Sequence, residues 1–444
     1  MQSRHKPLNP ARVMVFGFLG VIFAGSLLLS LPPMHAGEGL NYVDALFTAT
    51  SAVCVTGLVV VDTGTFFSPL GQGVIMTLIF IGALGFMTMA TLIFIFLGRR
   101  ITLRDRLLVK EALNQDSVAG LLRLVLAVVR LAVFFVAIGT ILLSIRFIPI
   151  LGMERGVFFA LFHAISAFGN AGFDLFGSYD SLTRTPTDYL VNGTIMLLFI
   201  IGGLGFTVIM EPFKLFRRRS RLTLHSRLVF IITAFLLVTG TFFVLLLEYN
   251  NPETMGELSW GGKFFTAFFT AATPRTAGFS VLNTGELNST TMVILMTLMF
   301  IGASPTSTGG GVKTTTLGVV LITFISMIRG RQEPVVYMRR FSLNQVMKAV
   351  SIMSAAVALI FLSTLVMTYF EEMDFMSLLF EAFSAFGTVG LSAGITPELS
   401  LPSKIALIVT MFGGRVGPLS LLFWLPRRQK EDSLHYPEEH LLIG

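Results

Sequence analysis

One glycine-bearing phrase occurs four times in this chain, and its recurrence restricts the fold to one built from repeated units. The copies read SAVCVTGL at 51–58, SAFGNAGF at 166–173, ATPRTAGF at 272–279 and SAFGTVGL at 384–391. Aligned on their last glycine, they place Gly57, Gly172, Gly278 and Gly390 at intervals of similar length. Four copies at a regular spacing indicate an internal repeat.

The surroundings of each copy repeat as well. A phenylalanine stands ten positions before each glycine, a serine or alanine stands six positions before it, and a second glycine motif follows. The members of these three sets are Phe47, Phe162, Phe268 and Phe380; Ser51, Ser166, Ala272 and Ser384; and Gly82, Gly202, Gly302 and Gly413. Each phrase is therefore part of a longer unit.

The composition is that of an integral membrane protein. Hydrophobic residues make up 54% of the chain and charged residues only 13%, whereas a soluble domain carries about 25% charged residues. A helix needs about 20 apolar residues to cross a bilayer. Eight long apolar segments meet this need, at about 12–31, 70–97, 122–148, 190–216, 226–248, 290–328, 345–370 and 403–425.

The charges alternate between the connections of these segments. Lys and Arg crowd the links at 99–110, 214–227 and 329–348 and both ends of the chain, whereas the other links lean acidic. Positively charged connections stay in the cytoplasm, so both termini are expected there, with the chain in the cell inner (plasma) membrane. The net charge of +7 is then a signal of topology. No nucleic acid is expected as a partner, because no recognisable binding module accompanies these basic runs.

The apolar run before each phrase is too short to cross a membrane and suits a re-entrant helix. The predicted fold is an all-α membrane protein with four pseudo-symmetric span–pore helix–loop–span repeats. It has eight transmembrane helices plus four re-entrant pore helices around a central pore. The units are residues 1–98, 99–220, 221–330 and 331–428, followed by a cytoplasmic C-terminal tail at 429–444.

The four phrases suit a filter for a monovalent cation. Rings of backbone carbonyls can replace the hydration shell of such an ion, and glycine leaves no side chain in the pore. The alternative is that the glycines only permit close helix packing, which we favour for Gly85, Gly203 and Gly205. The predicted potassium-filter backbone comprises Val53, Cys54, Val55, Thr56 and Gly57; Phe168, Gly169, Asn170, Ala171 and Gly172; Pro274, Arg275, Thr276, Ala277 and Gly278; and Phe386, Gly387, Thr388, Val389 and Gly390.

The segment at 290–328 is interrupted by glycine, proline and hydroxyl residues, which break a helix. Its two apolar halves are each too short to span a bilayer. The interruption predicts a flexible gate loop below the filter, and the alternative is a plain cytoplasmic turn. The predicted gate residues are Gly302, Ser304, Pro305, Ser307, Thr308, Gly309, Gly310, Gly311 and Lys313, together with Arg415 in the last segment.

For three basic side chains in or near these loops, the sequence is compatible with more than one role. Arg415 is predicted to act as an electrostatic barrier below the filter, or to hold loop carbonyls, or to do both. Lys313 is predicted either to line the cavity or to extend toward the cytoplasmic edge. Arg275 is expected to point away from the ion and to tie its loop to an acid or to carbonyls.

The phrases CVTGL, GNAGF, TPRTAGF and FGTVGL resemble the four filter loops of the Trk/Ktr/HKT superfamily of potassium transporters. The likeness covers nearly the whole chain and is greatest to the membrane subunits of bacterial Ktr systems. It implies a homodimer in the lipid bilayer with one pore per subunit, and a cytosolic RCK-type regulatory ring (KtrA-like) expected to bind ATP/ADP. A nucleotide would thus act only through a partner subunit.

The same resemblance implies the transported ion and the gate. In the superfamily, glycine in all four loops accompanies selectivity for potassium (K+), while serine in the first loop of some plant members favours sodium (Na+). Gly57 therefore implies K+ as the transported ion, and Na+ is a candidate activator. The loop in the third unit corresponds to the superfamily's intramembrane gate, and an arginine at the place of Arg415 faces the pore.

Two other classes of function are weighed against this one. An enzyme is not expected, because the six histidines do not cluster and no catalytic motif occurs. A secondary carrier for another cation (Na+) or a small solute is the alternative. Such carriers are usually built on inverted repeats, whereas the four units here run in the same order.

Overall fold

The computed structural model describes residues 10–37, 39–85, 88, 91, 121–218, 222–331 and 333–417, and in this part the chain is mostly helical. The predicted tail at 429–444, the basic link at 99–110 and the far ends of several predicted spans lie outside the described residues. The longer helices are Pro10–Leu29, Tyr42–Cys54, Pro69–Leu84, Leu121–Leu151, Met153–Gly169, Tyr189–Leu204, Phe206–Arg218, Leu224–Glu248, Trp260–Ala272, Ser289–Phe300, Thr314–Ile328, Leu343–Phe370, Phe375–Gly387 and Leu401–Val416.

The remaining elements are small. Helix Thr63–Phe66 and the 3-10 turns Pro32–Met34, Thr284–Glu286 and Thr396–Glu398 lie in connections. Strands Val335–Val336 and Arg339–Arg340 pair antiparallel in a hairpin between two helices.

Four long helices, one in each predicted unit, present apolar side chains outward. They are Pro10–Leu29, Leu121–Leu151, Leu224–Glu248 and Leu343–Phe370, and each contains a stretch long and apolar enough to cross a membrane. Large side chains on their outer faces are strongly exposed, such as Val238 at 68% and Phe361 at 64%. A helix with this apolar surface is suited to lipid rather than to water.

The described part of each predicted second span contains or ends at a break in the helix. Within the described residues four helices could cross a membrane, or five if the bent pair Tyr189–Leu204 and Phe206–Pro212 counts as one span. Glycines with a left-handed backbone end these helices: Gly85 has φ +81°, Gly205 has φ +95° and Gly417 has φ +92°. Hydropathy continues across these glycines, so the apolar pattern did not reveal the breaks.

Four short helices, which we call the central helices, lie inside this shell with their C-terminal ends buried. They are Tyr42–Cys54, Met153–Gly169, Trp260–Ala272 and Phe375–Gly387, and each ends within one glycine phrase. Side chains cap three of their starts: Asn41, Ser259 and Asp374 each accept a hydrogen bond from a backbone N–H of the first turn. Phe47, Phe162 and Phe380 of these helices are completely buried.

The third central helix is shifted by one residue relative to the sequence repeat. Phe269 rather than Phe268 is completely buried. The sequence alignment had placed Ala272 at the position of the serines in the other units. In the structure, the hydroxyl group at the end of this helix belongs to the next residue, Thr273. Thr273 continues in a helical conformation, with φ −63° and ψ −34°, so the following turn is tighter and one residue shorter.

A partly buried ion pair joins the last unit to the first. The Lys404 ammonium donates to an Asp44 carboxylate oxygen at 2.7 Å, and both side chains are less than one-fifth exposed. Lys404 lies on Leu401–Val416 and Asp44 on the first central helix. The contact closes the arrangement of units, because it connects residues from opposite ends of the chain.

Candidate functional site

The four glycines that define the repeat meet in a closed ring. A Cβ added to Gly57 would lie 3.0 Å from Gly172 Cα, one on Gly172 would lie 2.9 Å from Gly278 Cα, one on Gly278 would lie 3.3 Å from Gly390 Cα, and one on Gly390 would lie 2.9 Å from Gly57 Cα. The order around the ring is therefore the order of the units in the chain. No side chain fits at these positions without moving backbone.

A carbonyl oxygen from each loop lies at this ring. The oxygens belong to the residue before each glycine, and each of them faces the glycine of the neighbouring loop; they are those of Thr56, Ala171, Ala277 and Val389. No hydrogen bond among the described residues uses any of the four oxygens. A buried carbonyl without a partner is unfavourable unless water or an ion satisfies it.

The N–H groups of the same four residues are bonded on the opposite side. Thr56, Ala171 and Val389 each donate to the carbonyl six positions before the loop glycine, and Ala277 donates to Thr273, at distances of 2.8 to 2.9 Å. The N–H groups of these four residues are thus bonded to the central helices, whereas their carbonyl oxygens have no hydrogen-bond partner among the described residues. The helix C-termini also carry partial negative charge toward the ring.

The backbone conformation of the loops repeats in all four units. The residue two positions before each glycine has a left-handed conformation: φ is 53° at Val55, 58° at Asn170, 72° at Thr276 and 50° at Thr388. The glycines themselves have φ between 69° and 95°. A left-handed valine is rare, so the surrounding contacts must stabilise this conformation.

Buried hydroxyl groups brace each loop from behind. Ser51 Oγ accepts from the N–H of Gly57 and Ser384 Oγ accepts from that of Gly390, both at 3.1 Å. In the other two units the hydroxyl donates instead: Ser166 to Phe173 O and Thr273 to Phe279 O, both at 2.6 Å. These bonds hold the glycines against the ends of the central helices.

In the first, second and fourth units the second glycine motif allows close contact with a central helix, whereas a Cβ at Gly302 in the third unit would overlap the carbonyl of Gly310. A Cβ at Gly82 would overlap the Val53 carbonyl, one at Gly202 would overlap that of Phe168, and one at Gly414 would overlap that of Phe386. The equivalent residue in the last unit is therefore Gly414, and the alignment on Gly413 was wrong by one position. Because Gly413 and Gly414 are consecutive, the sequence alone was compatible with either alignment.

The predicted gate loop at 302–311 lies against the filter loops on the side of the residues that precede the glycines. Two of its N–H groups donate to the end of helix Tyr189–Leu204: Ser304 to Gly203 O at 3.0 Å and Thr308 to Gly202 O at 3.3 Å. On the other side, the Gly310 N–H donates to Thr388 Oγ1 at 2.9 Å. The loop is thus held between the second and fourth units.

Two cationic side chains hold carbonyl oxygens of this loop. Lys313 Nζ donates to Gly309 O at 2.6 Å and to Gly310 O at 3.4 Å, so it turns back onto its own loop. The Arg415 guanidinium donates to Thr308 O and to Gly82 O, which ties the loop to the first and fourth units. Both cations occupy positions where they satisfy oxygens that could otherwise bind an ion.

Asn170 connects a filter loop to the gate loop. Its amide nitrogen donates to Arg275 O at 3.3 Å and to Thr276 Oγ1 at 3.1 Å, and its amide oxygen accepts from Thr308 Oγ1 at 2.9 Å. The side chain of Arg275 behaves differently from our expectation. It is buried, and its Nε and Nη2 have no hydrogen-bond partner among the described residues, so the predicted tie to an acid or to carbonyls is not seen there.

A cavity of about 220 Å³ opens on the opposite side of the ring, bordered by all four loop glycines. Asp62, Asp174 and Asp180 line it, and none of its described lining residues is Lys or Arg. Asp174 lies in a connection outside the helices. Burial raises the pKa of its carboxyl to about 7, and the carboxylates of Asp62 and Asp180 add to this effect. The cavity attracts cations.

The structure brings the predicted residues together in two adjoining groups. The filter residues of all four phrases are buried except Gly390, which is partly exposed, and the gate residues with Arg415 lie beside them. Sequence reasoning missed Thr306, which contacts the second unit, and the hydroxyl of Thr388, which contacts the gate loop. Nothing in the linear pattern distinguishes these threonines from others.

The chain is similar to known cation transport proteins. A family described as "TrkH: Cation transport protein" matches residues 18–432. The chain is 43% identical over 436 residues to Ktr system potassium uptake protein B of Bacillus subtilis (strain 168), covering 98% of this chain and 97% of that protein. It is 37% identical over 446 residues to potassium/sodium uptake protein NtpJ of Enterococcus hirae, covering 99% and 98%.

A solved structure has the same fold. The potassium transporter TrkH from Vibrio parahaemolyticus superposes with a TM-score of 0.74 at 18% sequence identity, covering 96% of this chain and 87% of that one. At this identity the likeness concerns the fold alone.

Proposed function

Because this chain belongs to the TrkH family of cation transport proteins, we propose that it takes up K+ across the cell membrane through a filter formed by its four glycine loops. The names of its relatives support the ion: one is a potassium uptake protein and another a potassium/sodium uptake protein. We propose further that each of the four units, 1–98, 99–220, 221–330 and 331–428, contributes one quarter of the filter.

The observation that carries this proposal is the ring of unpartnered carbonyl oxygens. Four oxygens from four loops lie next to four glycines, while the corresponding N–H groups are bonded to the central helices. A dehydrated K+ requires several such oxygens and no fixed negative charge. The acidic cavity bordering the ring would supply cations to it.

We propose that the loop at 302–311 is the gate and that the present arrangement is a closed one. Lys313 and Arg415 satisfy the carbonyls of Thr308, Gly309 and Gly310 with fixed positive charge. A permeating cation would meet these charges directly after the filter. Opening then requires the loop and at least one of these side chains to move.

The remaining proposals concern assembly. Relatives of this chain are named as parts of a Ktr system, which supports a cytosolic regulatory partner with the nucleotide site. A homodimer and an orientation with both termini in the cytoplasm follow from the resemblance and from the distribution of Lys and Arg.

Ion uptake into vesicles tests the function. Purified protein in phospholipid vesicles loaded with K+ is expected to accumulate radioactive rubidium, and external K+ should compete far better than external Na+. Equal competition by the two ions would favour the sodium alternative suggested by the potassium/sodium relative. Uptake of an organic solute without any rubidium flux would contradict the proposal and favour a carrier.

A further inference from the structure

The helix that follows Gly205 turns sharply away from the preceding helix, next to the proposed gate loop. Helices Tyr189–Leu204 and Phe206–Pro212 meet at 99°. Gly205 has φ +95°, and a Cβ there would overlap the carbonyl of Pro305. Gly205, which the sequence indicated as a helix-packing glycine, therefore permits both the bend and the contact with the loop.

Two hydrogen bonds join the start of the bent helix to Thr306 in the middle of the loop. The Phe206 N–H donates to Thr306 O at 3.0 Å, and the hydroxyls of Thr207 and Thr306 lie 2.9 Å apart. Thr306 has φ +59°. This conformation is unfavourable for a β-branched residue, so Thr306 depends on contacts outside the loop to keep it.

The other end of the same helical segment is anchored at the start of a long helix. Glu211 accepts hydrogen bonds from the Thr223 N–H at 2.8 Å, from Thr223 Oγ1 at 3.1 Å and from Ser226 Oγ. Thr223 caps helix Leu224–Glu248. Five residues of helix, or about 7 to 8 Å, therefore separate the contact with the gate loop from the contact with the next unit.

These contacts differ in kind from those on the other side of the loop. Gly310 and Thr308 are held by Thr388 and Arg415, which lie in or beside the proposed filter. Thr306 is held by a helix that lies outside the filter and is bent by 99° from the helix before it. A displacement of that helix would act on the loop through Thr306.

We propose that Thr207 is a positioning residue of the gate: its hydroxyl holds Thr306, and helix Phe206–Pro212 transmits movement at the Glu211 end to the loop. The inference rests on the proposed role of 302–311 as the gate. It assigns the coupling between the cytoplasmic side and the pore to one short helix of the second unit.

The test compares Thr207→Val, which removes the hydroxyl at nearly constant volume, with Thr207→Ser, which keeps it. Thr194→Val is the matched control, because the Thr194 hydroxyl bonds only to Leu190 O within the same helix at 2.6 Å. All are made in the otherwise unchanged chain, and hydrogen–deuterium exchange of the peptide that contains 302–311 reports opening of the loop. Rubidium uptake and the exchange rate of this peptide are both measured.

Thr207→Val should raise both rates by about three- to tenfold, the factor expected for loss of one hydrogen bond. Thr207→Ser and Thr194→Val should stay near the parent. Unchanged exchange of the loop peptide in Thr207→Val, or the same change in Thr207→Ser, overturns the inference while parent uptake continues. Absence of ion uptake by the parent itself would instead refute the proposed function, so the two failures are distinguishable.

Discussion

Replacing Gly57 with serine is expected to lower the preference for K+ over Na+ by about tenfold or more, because the change acts on the ring itself. Gly57 has φ +95°, and an added Cβ would lie 2.5 Å from Ala171 O and 3.0 Å from Gly172 Cα. The left-handed conformation alone costs a side chain about 1 to 2 kcal/mol, and about 1.4 kcal/mol corresponds to a tenfold change in an equilibrium. The loop must shift, and one carbonyl of the ring shifts with it.

The measurement is uptake of rubidium and radioactive sodium by the same vesicles. Gly73→Ser is the matched control, since Gly73 lies in the first unit on helix Pro69–Leu84 and a Cβ there would meet nothing within 4 Å. The control should keep the parent's selectivity. If Gly57→Ser also kept it while folding normally, the first loop would not belong to the filter.

Replacing Arg415 with alanine is expected to raise K+ flux by about tenfold or more. The guanidinium donates to Thr308 O in the gate loop and to Gly82 O in the first unit. Bonds from a charged donor are stronger than neutral ones, typically about 1.5 to 3 kcal/mol, so their loss should free the loop. The same change removes a positive charge beside the path of the ion.

Rubidium uptake and thermal stability are measured together for this variant. Arg340→Ala is the control, because Arg340 forms a largely exposed ion pair with Glu333, and such pairs contribute little. A rise in flux with Arg415→Ala would support both proposed roles of Arg415, as an electrostatic barrier and as the donor of hydrogen bonds that hold the gate loop. A fall in flux by a stable, correctly assembled variant would mean that Arg415 supports the open pore instead.

The repeat could be recognised in the sequence because only glycine fits where the backbones of two neighbouring loops are in contact. Gly57, Gly172, Gly278 and Gly390 recur for the same steric reason that the structure displays, a left-handed backbone with the next loop at contact distance. The family indicated by these motifs is confirmed by its match to residues 18–432. The roles given to the filter and gate residues stay predictions.

Other features, such as the exact helix ends and the contacts between distant residues, could be recognised only in the folded structure. The one-residue shift in the third unit follows from Thr273 continuing the helix, which no spacing rule distinguishes from a break at Ala272. Hydropathy did not reveal the bends at Gly85, Gly205 and Gly417, because a positive φ at these glycines leaves the local composition apolar. Thr306 and Thr207 are far apart in sequence, so their contact could not be read from either segment.

The central claim is that four main-chain loops coordinate one monovalent cation. Anomalous diffraction from crystals grown with thallium, which replaces K+, tests it most directly. We predict a peak on the axis between the carbonyl oxygens of Thr56, Ala171, Ala277 and Val389, and its loss when a large excess of K+ is added. Thallium bound elsewhere, with the ring empty, would contradict the account.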